Sequence, residues 1–113
     1  MSMATSVIKA EHADTRSLTL NNTYCQNLGT QSVTIVGRMA FLHVVFIARI
    51  DIPASTTITT LPSDYSYHSY ENAAVISKNG SAQTFQIRNK NLQNGLAIAN
   101  GDVVQLSGAV ALA

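Results

Sequence analysis

The sequence predicts an all-β chain folded as an antiparallel β-sandwich or jelly roll. Short runs rich in Val, Ile, Thr and Phe recur between turn residues, which is the signature of strands. Helical patterning is almost absent, because no stretch repeats apolar residues at helical spacing with good helix formers between them. Three Asn-Gly pairs, Asn79-Gly80, Asn94-Gly95 and Asn100-Gly101, punctuate the carboxyl half. Both residues tolerate the positive φ that a type I′ hairpin turn requires.

Along the chain, residues 1–20 read as a flexible lead or linker that includes part of an amino-terminal strand, with Arg16 to Leu20 as the candidate strand and Asn21-Asn22 as a turn. A β-sandwich domain then spans residues 21–113. Gln31 to Gly37 sets Val33 and Ile35 on one face. Ala40 to Ile50 is the longest apolar run, with Leu42, Val44, Phe46, Ala48 and Ile50 on one side and Phe41, His43, Val45, Ile47 and Arg49 on the other. A strand apolar on both faces is central in a sandwich or pressed against a neighbouring chain.

Thr56 to Leu61 is a β-branched run closed by Pro62, and the polar segment Ser63 to Glu71 reads as an exposed loop. The Asn-Gly pairs divide the remainder into Ala73 to Ser77, Ala82 to Asn89, Leu96 to Ile98 and Val103 to Leu112. In the last strand Val104, Leu106, Val110 and Leu112 share one face, and Gln105, Ser107, Ala109 and Ala111 share the other. Small residues on an exposed face permit another chain to approach closely. The candidate interface is therefore Phe41, His43, Val45 and Ile47 together with Gln105, Ser107, Ala109 and Ala111.

Composition narrows the function. At 113 residues the chain fits one domain. Only 12% of residues are charged, with seven Lys and Arg against six Asp and Glu. The basic residues are scattered, so no footprint for nucleic acid forms. Cys25 is the single cysteine and has no internal disulfide partner. The amino terminus lacks the basic-then-apolar pattern of a signal peptide, and the most apolar window, Val33 to Ile50, is interrupted by Arg38, His43 and Arg49. Neither export through a signal peptide nor membrane insertion is expected.

The most suggestive polar cluster is Asp64, Tyr65, Tyr67, His68, Tyr70 and Glu71. Aromatic faces stack on sugars while carboxylates and imidazoles bind hydroxyls, which makes this loop a candidate saccharide site. The alternative is a solvated turn whose tyrosines cover the sandwich edge, and that reading is favoured because surface loops are commonly polar and aromatic-studded. Asp64, Ser66 and His68 do not make a triad, since residues two apart on one loop supply neither the nucleophile–base contact nor a separate oxyanion site. Glu11, His12 and Asp14 sit in the lead, and no two histidines share a ligand spacing. His43 reads as a hydrogen-bonded core or interface histidine, and Cys25 as a small packing residue. No catalytic residue, metal ligand or cofactor motif is expected, and the chain does not read as an enzyme.

Several segments, taken in order, resemble a known family. They are Ile50-Asp51-Ile52-Pro53-Ala54, the run Thr56-Thr57-Ile58-Thr59-Thr60-Leu61-Pro62, an aromatic loop with Tyr65, Phe85-Gln86-Ile87, and Asn100-Gly101-Asp102-Val103-Val104-Gln105-Leu106. This order resembles the carboxyl-terminal jelly-roll domains of tailed-bacteriophage fibre, baseplate and receptor-binding proteins. Ser63-Asp64 stands where that pattern has a single Gly, and no Pro follows Tyr65. The resemblance implies a homotrimer of jelly-roll subunits on a virion tail or baseplate, made in the host cytoplasm, with a host surface saccharide or another phage tail protein as partner. The rival readings are a monomeric carbohydrate-binding module and a ligand-free architectural adaptor or capsid-decoration domain.

Overall fold

The computed structural model describes residues 13–68, 70–71, 75–77 and 84–113. The strands are β1 (Asp14–Ser17), β2 (Cys25–Asn27), β3 (Ser32–Val36), β4 (Met39–Ala48), β5 (Thr57–Thr60), β6 (Tyr70–Glu71), β7 (Val75–Ser77), β8 (Phe85–Arg88), β9 (Asn91–Asn94) and β10 (Val103–Ala111). They form two antiparallel sheets, with no helix among the described residues. The larger sheet runs β1-β3-β4-β10-β7 and the smaller β5-β9-β8-β6.

Strand β4 is the hub of the larger sheet. Its alternation buries Ala40, Leu42, Val44, Phe46 and Ala48 and turns Met39, Phe41 and His43 outward. Strand β10 pairs with it at nine consecutive positions, from Val103↔Ile47 to Ala111↔Met39. The inner residues of both sheets merge into one core, in which Phe46, Val104 and Leu106 of the larger sheet join Ile58, Phe85, Ile87 and Leu92 of the smaller. Burying a side chain the size of Phe46 contributes about 1.5–3 kcal/mol.

The other edge of β4 is shared. Strand β3 pairs with Met39–His43 and β2 with Phe46–Ala48, which leaves a break opposite Val45. The buried Gln31 fills that break with its side chain. Its Oε1 accepts from the Val45 N–H at 2.5 Å and its Nε2 donates to the Val45 carbonyl at 2.6 Å. A primary amide carries a donor and an acceptor side by side, so it pairs with the Val45 N–H and shares the Val45 carbonyl with the Leu28 N–H (3.1 Å).

Several sequence expectations are corrected. Asn94-Gly95 is not a hairpin turn. Asn94 ends β9, fully buried, while the β8–β9 turn is Asn89-Lys90, with φ of 54° and 70°. Positive φ at both central residues is the type I′ condition, met here by Asn-Lys. The side chain of Asn94 instead accepts from Thr56 N–H (2.9 Å) and donates to the carbonyls of Pro53 (2.9 Å) and Leu96 (2.9 Å). Asn100-Gly101 does turn the chain, but only Gly101 has positive φ (88°) and Asp102 N–H donates to the Ala99 carbonyl. That is a type II turn.

Leu96 to Ile98 forms no strand, only the single bridge Ile52↔Ile98. Arg16 to Leu20 shifts to Asp14–Ser17, and Leu18 and Leu20 enter the core, so packing begins before residue 21. Ser63 to Glu71 is not wholly an exposed loop, since Tyr65 and Tyr67 pack against the core, Tyr67 bridges Leu112, and Tyr70–Glu71 is β6. The Asn79-Gly80 turn and most of the lead fall outside the described residues.

Candidate functional site

Two surfaces collect the residues that the sequence singles out. The first is the seam between edge strand β1 of the larger sheet and edge strand β5 of the smaller. A groove of about 700 Å³ opens there between residues 16–21 and 57–64. Its walls are tied together, because Thr59 Oγ1 donates to the Thr19 carbonyl (2.7 Å) and Asn21 N–H to the Ile58 carbonyl (2.7 Å).

Arg16 closes one end of this groove. Its Nη1 and Nη2 each donate to an Asp64 oxygen at 2.7 Å, and its Nη2 and Nε reach Asp14 at 2.8 and 3.2 Å. The guanidinium lies 5.3 Å from the Tyr65 ring centroid, and the Tyr65 hydroxyl donates to Asp14 at 2.7 Å. Hydrogen bonds from Arg16 hold the Asp14 and Asp64 carboxyls below the usual carboxylate range. The same bonds raise Arg16, and the bond to Asp14 raises Tyr65. Two carboxylates surround one cation, so the cluster attracts no phosphate. Tyr67 is pushed up to about 12, first by burial, and its hydroxyl donates to the Pro62 carbonyl at 3.1 Å.

Of the six loop residues the sequence proposes, the structure joins Asp64 and Tyr65 in this network and seats Tyr67 against the core. His68 is exposed, with its N–H donating to the Ala111 carbonyl. The side chains of Tyr70 and Glu71 lie outside the described residues. Sequence reasoning missed Asp14 and Arg16 as members. The available signal was an alternation, Asp14, Arg16, Leu18 and Leu20, that places a charge on the inward side of a short strand.

The second surface is the outer face of the larger sheet. It carries Ser32, Thr34 and Val36 on β3 and Met39, Phe41 and His43 on β4, with Val45 and Ile47 half-buried beyond them. Strand β10 adds Gln105, Ser107, Ala109 and Ala111, and β1 adds Thr15 and Ser17. None of these is Asp, Glu, Lys or Arg. Val36, Met39 and Phe41 are 41%, 37% and 48% exposed. All eight proposed interface residues fall on this face, and His43 is exposed there instead of lying in the core.

No protein family, no curated protein and no solved structure matches the chain. Among the described residues no group of three His, Cys, Asp or Glu is placed to hold a metal ion, and no helix is long and apolar enough to cross a membrane. Cys25 is buried, and that burial pushes its thiol up to about 12, the opposite of a reactive thiolate.

Proposed function

We propose that the chain is a non-enzymatic structural module of a bacteriophage tail or baseplate, which uses the outer face of its larger sheet to pack against a neighbour in that assembly. The observation that carries this reading is the face itself, whose described residues include no carboxylate, ammonium or guanidinium and leave three large apolar side chains in water. Exposed apolar patches of this kind mark interaction surfaces. The phage assignment and the jelly-roll description rest on the sequence resemblance. The groove beside β1 is not needed for this function, since its charges are engaged in fastening an edge strand.

The test is antiserum raised against the purified chain, applied to particles from the strain that encodes it. Electron microscopy should show the label at the tail or baseplate. Particles that remain unlabelled reject the virion assignment.

A further inference from the structure

We propose that the neighbour on this face is a second copy of the chain, related by a two-fold axis that runs along the strands between β4 and β10. The inference rests on the reading of the outer face as an assembly surface, and it names the partner. It follows from the cross-strand register. Phe41 stands beside Ala109, Met39 beside Ala111 and His43 beside Ser107. Each of these three pairs sets a larger side chain on β4 next to a smaller one on β10, so the Met39–His43 end of the face consists of a ridge and a hollow, whereas Val45 beside Gln105 and Ile47 beside Val103 lie beyond it.

A two-fold axis parallel to the strands and midway between them carries β4 of one copy over β10 of the other at the same height. Phe41 of each copy then lies over Ala109 of its mate, and Met39 over Ala111. Every large-over-small contact occurs twice, as an isologous interface demands. Face-to-face sheets pack about 10 Å apart, with side chains of the two inner faces interdigitating. A ridge opposite a hollow fits that spacing, whereas Phe41 opposite Phe41 does not.

Charge makes the same selection. Any charge on a self-paired face would lie close to its own copy or lose its water, and either costs free energy. Among the outward positions of β1, β3, β4 and β10 none carries Asp, Glu, Lys or Arg, and His43 is the one titratable side chain on β4. A charged partner would find nothing to pair with here, while a second copy brings an equally uncharged surface. The facing area is modest. Strands β3, β4 and β10 present five, ten and nine residues, roughly 400 Å² of sheet per copy at about 3.3 Å per residue and about 4.8 Å between strands. Two such patches reach roughly 800 Å², the size of a weak contact that forms at high concentration of the chain.

Sedimentation of the full chain at high concentration tests the pairing. The wild type should run as a two-chain species, and Phe41→Lys and Ala109→Glu should each run as single chains. An equimolar mixture of the two variants should restore the two-chain species. The axis sets the lysine introduced on β4 of one copy over the glutamate introduced on β10 of the other, and it leaves Phe41 over Ala109 at the second contact. Circular dichroism checks that each variant keeps its sheet spectrum. If either unfolds, Met39→Lys and Ala111→Glu replace them at the adjacent pair. A wild-type monomer, or a mixture that stays monomeric, overturns the pairing. A trimer lost in Phe41→Lys overturns the two-fold arrangement while upholding the face as an assembly surface, and tail labelling by the antiserum is independent of both.

Discussion

At the scale of single residues, two buried amides satisfy backbone groups that no strand reaches. Gln31 completes the edge of β4, and Asn94 binds three backbone groups, two in the segment just before β5 and one just after β9. A buried polar group left without a partner costs about 1–3 kcal/mol. Replacing Asn94 by Ala removes one acceptor and two donors at a fully buried site, so the change should destabilise the fold by roughly 2–4 kcal/mol. Urea unfolding of wild type and variant measures this, and a loss under about 0.5 kcal/mol, the ordinary scatter of surface substitutions, would contradict it. Gly95, next in sequence, is confined in another way. A Cβ there would collide with Thr84, whose carbonyl receives the Gly95 N–H at 2.6 Å.

At the scale of the element, β1 is an edge strand of only four residues, and edges invite unwanted pairing unless charge or brevity discourages it. Arg16 supplies an inward-facing charge and fastens the strand to Asp64 across the seam. Both carboxyls it binds titrate below their ordinary range in the folded protein. A depressed carboxyl contributes stability above its unfolded value, and that contribution is lost as pH falls through the folded value. The thermal midpoint of Arg16→Gln should therefore lie below that of wild type at pH 7, and the gap should close as the pH falls below the ordinary carboxylate range and through the depressed values of the folded protein. A gap that persists in acid would show that Arg16 acts by packing alone. This cluster also shows the limit of reading a sequence. Asp64 and Tyr65 are conspicuous in their loop, but their partners lie about fifty residues earlier, in a lead that has little pattern of its own. The faces of β4 and β10 were legible because period-two alternation is local and long. The burial of Asn94 was not legible, because Asn-Gly has the same local chemistry wherever it occurs. Only the distant carbonyl of Pro53 and N–H of Thr56 decide that this asparagine goes inside.

At the scale of the molecule, the two sheets share one core, so their stability should be indivisible. The short strand β2 is the point where that could fail. Three residues on a sheet edge fray unless something else holds them. Here β2 is flanked by anchors: Arg49 N–H donates to the Tyr24 carbonyl (2.8 Å), Leu28 N–H to the Val45 carbonyl (3.1 Å), and the Gln31 side chain closes the gap beyond. Cys25 begins this strand, buried and paired with Ala48 at the end of the hub strand. With its thiol pushed up to about 12, little nucleophilic thiolate exists at pH 8 while the protein is folded. Labelling by an aromatic disulfide reagent should therefore wait for the whole structure to open. Its rate should rise with urea at the slope of global unfolding. A rate that is fast in native buffer and indifferent to urea would mean that β2 opens by itself, and that the anchors at Arg49 and Gln31 do not couple this edge to the core.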